Sequence, residues 1–136
     1  MPRLSQKINV DHSKASNYKY VADNFYDGAQ VAAEYEYWNA AGVLIVHSAI
    51  AYGDAITIKF ESVKSKGEDH QALVNLIESI TAQSPKKKSA LLHLTKLIDQ
   101  KNAVSYSGDI YKKADIDQMW KHLERFKFWV VDLINN

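Results

Sequence analysis

Cysteine is absent from the 136 residues of this chain. The absence excludes a disulfide framework, a thiolate metal site and a cysteine nucleophile, and it fits a reducing compartment. Proline and glycine are scarce, at two and five residues, which favours long helices because these residues most often interrupt them. An excess of one charge is also missing, since 17 Lys and Arg residues balance 16 Asp and Glu residues. The net charge of +1 therefore neither favours nor excludes nucleic acid as a partner.

Apolar runs of the kind that export or anchor a protein are missing too. Residues 1–7 carry a basic end with no apolar stretch after it, whereas a signal peptide requires one. The longest uncharged stretch, residues 37–53, is shorter and more polar than the roughly 20 apolar residues of a membrane span. We therefore expect a cytoplasmic protein with no membrane contact.

The spacing of the apolar residues predicts a single all-α domain over residues 1–136. Short connections between long helices favour an up-and-down antiparallel bundle of about five helices. The first helix is expected to begin after Asp11 or Ser13 and to end near Trp38. The other helices are expected at about residues 39–63, 72–80, 91–106 and 115–133, separated by polar connections at 64–67 and 84–88 and a loop at 109–113.

The second predicted helix is apolar on nearly all sides, which is typical of a buried core helix. His47 and Asp54 lie in it seven residues apart, almost two turns, and therefore on nearly the same face. A buried polar group costs free energy unless it finds a partner. Either both side chains form hydrogen bonds to neighbouring helices, or both point into a shared cleft or interface.

A second informative stretch, residues 100–111 (QKNAVSYSGDIY), contains Lys101, Asn102 and Tyr106. A lysine can hold a phosphate as a point charge, and the asparagine adds a hydrogen-bonding amide. Alternatively, Lys101 offsets the negative end of a helix dipole while the ring of Tyr106 packs against the fold. Gly108 suits the left-handed turn that ends such a helix.

Familiar catalytic signatures are absent from the sequence. It contains no glycine-rich phosphate loop, no HExxH pair and no nucleophile-elbow serine. The five histidines fall in separate segments, so no local metal-ligand spacing appears. We therefore expect neither a metal nor a cofactor.

Three segments together resemble the HEPN superfamily of small helical-bundle proteins. They are residues 20–25 (YVADNF), residues 38–55 (WNAAGVLIVHSAIAYGDA) and residues 101–106 (KNAVSY). The resemblance extends over about residues 18–129 and implies a HEPN-like helical bundle that works as a dimer. HEPN proteins of known activity are metal-independent ribonucleases, with a motif of arginine, a polar residue and a histidine four to six residues after the arginine.

The resemblance places Lys101 at the arginine position, Asn102 at the polar position and Tyr106 at the histidine position. It gives His47 and Asp54 of the second helix supporting roles. Lysine lacks the two-pronged phosphate contact of arginine, and tyrosine, with a reference pKa near 10, is a poor base at neutral pH.

The favoured hypothesis is therefore a non-catalytic HEPN-like module that binds RNA or a nucleotide, or that pairs with a nucleotidyltransferase as in toxin–antitoxin or defence systems. By analogy with such pairs, Tyr106 or Tyr111 would accept the nucleotide, and Asn39 is a further candidate binding residue. One alternative is a metal-independent ribonuclease in which Lys101 steadies the phosphate and His47 transfers the proton. Another is an interaction protein with no nucleic-acid role.

The aromatic residues of the last helix predict a homodimer. Trp120, Phe128 and Trp129 cannot all face one side of a helix, so some must be exposed or buried between subunits. The run Lys86, Lys87 and Lys88, by contrast, is expected to be a solvated turn, because three lysines alone give only weak, salt-sensitive phosphate binding.

Overall fold

The computed structural model describes residues 7–66 and 70–135, so the predictions for residues 1–6 and for Gly67 lie outside the described residues. The helices are α1 (Ala15–Glu34), α2 (Trp38–Glu61), α3 (Gln71–Ile80), α4 (Pro85–Asp99), α5 (Lys101–Ser105) and α6 (Lys113–Asn135), and a 3-10 turn, His12–Lys14, precedes α1. The described residues thus contain five helices of ten or more residues, which confirms the all-α helical bundle.

A small sheet is the main departure from the prediction. Strand β1 (Lys7–Asn9) pairs antiparallel with β2 (Val63–Ser65), at positions that we expected to be the end of a helix and a polar turn. The helix ends earlier because Ser62 adopts a left-handed conformation, with φ of 55°. Strands of three residues are too short for an alternating pattern to indicate them.

The connection between α1 and α2 also differs from the prediction, since α1 ends at Glu34 rather than near Trp38. Glu36 takes a positive φ of 63°. The backbone N–H of Tyr37 then donates to the carbonyl of Ala32 at 2.9 Å, and that of Glu36 donates to Ala33 at 3.0 Å. This is a Schellman motif, but glycine, the residue that usually indicates it, is replaced by glutamate.

Helix α2 lies at the centre of the bundle and packs against α1, α3, α4, α5 and α6, as expected of the core helix. It is long and apolar enough to cross a membrane, but 83% of its most apolar window is buried inside the protein. Such burial is typical of the core helix of a soluble protein. Small residues allow the close packing: Gly42 lies against Val104 of α5, and Gly53 lies against Leu73 of α3.

The first two helices run antiparallel, as predicted. Leu44 of α2 packs beside Gly28 of α1, and further along α2 the Tyr52 hydroxyl donates to Asp23. Residue numbers therefore increase along α2 in the direction in which they decrease along α1.

Helices α2 and α6 pack directly on each other but run in the same direction. Gly42, near the start of α2, lies beside Ile116, near the start of α6. Lys59, near the end of α2, donates to the carbonyl of Ile134, near the end of α6. The bundle is therefore not antiparallel at every helix pair.

The lysine run at the start of α4 also differs from the prediction. All three lysines lie in the first turn of α4 rather than in a connection, and although Lys86 and Lys88 are exposed, Lys87 is only 1% exposed. Its ammonium group donates to the carbonyls of Glu78 and Thr81, each at 3.0 Å. Lys87 thus caps the C-terminal end of α3, where free carbonyl groups favour a cation.

Candidate functional site

His47 and Asp54 line one open groove between α1 and α2, with a cavity volume of about 390 Å³. The structure thus brings both residues to a shared cleft, the second of the two arrangements that their spacing predicts. We call this cavity the α1–α2 groove. Its other lining residues are Asn17, Tyr18, Val21, Phe25, Ile50 and Ala51.

Asp54 is nearly buried in the wall of the groove, with 7% of its surface exposed. Its Oδ1 atom has no hydrogen-bond partner within the described part of the chain. Burial raises the pKa of Asp54 to about 7, and the positive charge of Lys64 only partly opposes this effect. The carboxyl group is therefore a buried acid that the fold does not satisfy.

His47 is half-buried, with its ring centre 6.1 Å from that of Phe25. Burial lowers the pKa of His47, and the positive charge of Lys101 lowers it further. His47 is therefore neutral at pH 7, and it faces the groove rather than the sealed core. The charge of Lys101 thus acts on His47, but no hydrogen bond between these two residues is found in the described structure.

Lys101 and Tyr106 come together at the two ends of α5. The Lys101 ammonium lies 5.7 Å from the centre of the Tyr106 ring, within the range of a cation–π contact. Tyr106 is 78% exposed, so its ring does not pack against the fold as one alternative required. Asn102 is exposed as well, and its backbone carbonyl accepts from the Tyr106 N–H at 2.8 Å.

Asn39 holds this segment in place. Its side-chain amide donates to the carbonyls of Val104, at 3.1 Å, and Asp109, at 2.9 Å. Its Oδ1 atom accepts from the backbone N–H of Tyr111 at 2.9 Å. One asparagine at the start of α2 therefore fixes both α5 and the loop that follows it.

Tyr111 is buried and its hydroxyl donates to the side-chain carbonyl of Gln100. Burial raises the pKa of Tyr111, and the negative charge of Asp109 raises it further. Tyr106 and Tyr111 are the two candidate acceptors of a nucleotide, and of these only Tyr106 has an exposed ring.

Two exposed tyrosines that the sequence analysis did not select lie at the same end of the bundle. Tyr35 and Tyr37, in the α1–α2 connection, stack with ring centres 6.1 Å apart. Asn39 tethers the loop after α5 to this connection, which places the two rings at the same end as Tyr106. Their position depends on the Schellman motif, for which the sequence gives no glycine signal.

Two histidines that lie 29 residues apart in sequence also form a pair. His93 of α4 and His122 of α6 approach with their Nδ1 atoms 2.9 Å apart. Burial lowers the pKa of both, and the nearby charges of Lys96 and Arg125 lower them further. Among the residues that the structure describes, no group of three or more potential ligands could hold a metal ion.

Comparison of the chain with protein-family models, with curated proteins and with solved structures gives no match.

Proposed function

We propose that this protein is a non-catalytic binding module of the HEPN type, and that its Lys101–Tyr106 pair binds a nucleotide unit, free or within single-stranded RNA. The observation that carries the proposal is the 5.7 Å approach of the Lys101 ammonium to an exposed aromatic ring. Proteins that bind single strands combine a cation for the phosphate with an aromatic ring on which a base stacks. Lys101 supplies the first group and Tyr106 the second.

The surroundings of this pair favour a common binding surface at that end of the bundle. Tyr35 and Tyr37 add two exposed rings there. Stacking does not depend on the identity of the base, so three rings suit a ligand of several nucleotides with little sequence preference. The hydrogen bonds of Asn39 give the surface a fixed geometry before the ligand arrives.

Binding fits these residues better than catalysis does. Tyrosine is a poor general base at neutral pH. His47, the alternative base, lies in the α1–α2 groove, and no hydrogen bond links it to Lys101 or Tyr106 in the described residues.

The binding test uses fluorescence anisotropy of a labelled single-stranded RNA of 12 nucleotides, at low salt, together with calorimetric titration of AMP. We expect Tyr106→Ala to weaken RNA binding by about 5- to 100-fold, since one stacked base contributes about 1–3 kcal/mol. Tyr20→Ala is the matched control, because Tyr20 is an exposed tyrosine on α1. Lys101→Ala should weaken binding and reduce its salt dependence.

The two ligands separate the possible sources of the nucleotide. Binding of AMP as tight as that of the RNA indicates a free nucleotide, whereas much tighter RNA binding indicates a strand. If neither ligand binds the wild-type protein, or if Tyr106→Ala binds both as well as Tyr20→Ala does, the proposal is wrong and an interaction protein without a nucleic-acid role is favoured.

The ribonuclease alternative keeps one observation in its favour, because His47 is neutral and half-buried close enough to Lys101 to feel its charge. It is tested by incubating labelled total RNA with the protein in the presence of a chelator. Cleavage by the wild type that disappears in both Lys101→Ala and His47→Ala would replace the binding proposal with a metal-independent ribonuclease.

We also propose that a nucleotidyltransferase partner, where one acts on this chain, modifies Tyr106 rather than Tyr111. The ring of Tyr106 is exposed, whereas Tyr111 is buried and its hydroxyl is bonded to Gln100. Mass spectrometry of the protein isolated from its native cells would locate the modification. A nucleotide on Tyr111 would contradict this assignment.

A further inference from the structure

The α1–α2 groove contains a buried carboxyl group, that of Asp54, that lacks a hydrogen-bond partner at one oxygen in the described residues. Asp54 is more than nine-tenths buried, lines the groove, and has one oxygen sealed from solvent without a hydrogen-bond partner in the described residues. Natural proteins pair nearly all such groups, and an exception calls for an explanation such as an absent ligand.

We propose that the α1–α2 groove binds a small amphiphilic cation, whose ammonium or guanidinium group pairs with the Asp54 carboxylate and whose apolar part lies along the groove. The proposal is independent of the nucleotide surface at Lys101 and Tyr106, because it rests on different residues and a different ligand charge.

The free-energy cost of burying the Asp54 carboxylate favours a cationic ligand. A buried carboxylate without a hydrogen-bond partner loses its hydration, and the positive charge of Lys64 offsets only part of that loss. A cationic ligand in the groove brings a positive charge to this carboxylate, so its binding offsets part of the free-energy cost of burying the charge.

The charge of the groove walls is the second argument. Among the described residues that line it, Asp54 is the one acidic side chain and no lysine or arginine is present. His47 is neutral at pH 7 because its pKa is lowered. Two lysines act on these groove residues electrostatically, Lys64 on Asp54 and Lys101 on His47, but they lie on β2 and α5 and do not line the groove. The groove therefore favours a cation over an anion or a neutral molecule of the same size.

The shape and composition of the groove are the third argument. Its volume of about 390 Å³ falls in the range of small-molecule sites, about 300–1,000 Å³, which combine apolar walls with a few polar groups. Val21, Phe25 and Ile50 provide apolar surface. The Phe25 ring, beside His47, also offers an aromatic face to a cation.

The experiment titrates hexylammonium, hexanol and hexanoate into 15N-labelled protein at pH 8 and follows the amide signals by NMR. We expect hexylammonium to shift the signals of groove residues and to bind at least tenfold more tightly than hexanol, while hexanoate binds more weakly still. Hexylguanidinium tests whether the forked cation is preferred over the ammonium. Equal binding of hexylammonium and hexanol would overturn the proposal, as would shifts confined to residues outside the groove.

Two variants test the role of the carboxyl group. Asp54→Asn keeps the shape of the side chain, and Asp54→Leu removes its polarity. Both should weaken hexylammonium binding at least tenfold without lowering the melting temperature. Asp27→Asn, at an exposed aspartate on α1 outside the groove, should leave binding unchanged. If the Asp54 variants do not fold, the comparison of the three probes on wild-type protein still decides the outcome.

Discussion

Asp54 makes the stability of this protein depend on pH in an unusual direction. Burial raises its pKa from 3.8 to about 7, so the folded state binds more protons than the unfolded state between about pH 4 and pH 7. Stability from this group is therefore fully present below pH 4 and is lost as pH rises to 7. Paired carboxylates show the opposite behaviour.

We predict that Asp54→Leu is more stable than the wild type at pH 8, by up to about 4 kcal/mol, because a shift of one pKa unit corresponds to about 1.4 kcal/mol. The difference should shrink as pH falls from 7 and be smallest below pH 4, where Asp54 becomes protonated in both states. Urea unfolding of both proteins at a series of pH values measures it, and the comparison cancels the titration of every other group. A difference that does not change with pH would contradict the assigned protonation.

At the residue scale, the sequence predicted part of the candidate site. The spacing of seven residues on an apolar helix was sufficient to place His47 and Asp54 on one face. The structural role of Asn39 could not be predicted, because the groups that it binds, in Val104 and Asp109, lie 65 and 70 residues away in sequence. The exposure of Tyr106 was also open, since a tyrosine near a helix end packs or protrudes according to its tertiary neighbours.

At the scale of the elements, Lys87 stabilises the junction of α3 and α4. Its ammonium group bonds the carbonyls of Glu78 and Thr81 and forms an ion pair with the Glu78 carboxylate at 3.2 Å. We predict that Lys87→Met lowers the free energy of unfolding by about 2–4 kcal/mol, because the carbonyls of Glu78 and Thr81 lose the buried donor that caps them. Lys88→Met, at the exposed neighbouring position, should change it by less than about 0.5 kcal/mol. Equal effects of the two substitutions would show that Lys87 is not a cap.

Gly42 sets the position of α5 on α2. A β-carbon at this position would lie 2.5 Å from Cγ2 of Val104, so Gly42→Ala must displace α5 or its side chain. We predict a loss of about 1–3 kcal/mol in stability and weaker nucleotide binding at Lys101 and Tyr106, measured by chemical unfolding and by anisotropy.

The control for this prediction is Gly28→Ala. A β-carbon there would meet Leu44 at 3.5 Å, an ordinary van der Waals contact, so neither stability nor binding should fall. A Gly42→Ala protein that loses stability but binds normally would show that α5 adjusts without moving the binding pair.

Long helices were predictable because their apolar pattern extends over many turns, as a periodic stripe in α6 and as a nearly continuous apolar run in α2. Short elements were not. The three-residue strands β1 and β2 offer too few positions for a pattern, and Gln100 divides the predicted fourth helix into α4 and α5 without a proline or glycine to indicate the break. Local sequence thus identifies the helices, whereas tertiary contacts determine where they end.

At the scale of the whole molecule, the bundle is organised around the central helix α2. Helix α1 covers one side of α2 as an antiparallel partner, and α6 packs along α2 in the same direction. Helix α6 also packs on α4. Phe128 projects from the outer surface of α6, which has no helical neighbour among the described residues. Phe128 is 76% exposed, while Trp120 packs on Tyr26 with ring centres 4.7 Å apart.

We propose that this surface of α6 forms a homodimer. Phe128 adjoins two cavities, one shared with Trp129 and Ala90 and one shared with Tyr26 and Val131, so a second copy would find apolar hollows beside the protruding ring. Light scattering at tens of micromolar protein should give twice the mass of the chain. Phe128→Ser should give the monomer mass, because a protruding aromatic ring that fills a pocket contributes a large part of the binding energy of an interface.

Tyr20→Ser is the matched control for the dimer, since it removes an equally exposed aromatic ring from α1 and should leave the mass at twice that of the chain. A monomeric wild type would refute the dimer, and a dimeric Phe128→Ser would place it on another surface.

The same variants also test how dimerisation relates to ligand binding. The proposed nucleotide-binding pair, Lys101 and Tyr106, lies at the α5 end of the bundle, and Phe128 lies in the C-terminal half of α6. Because these positions are separate, a monomeric Phe128→Ser protein should still bind RNA, and a loss of RNA binding would mean that two copies together form the site.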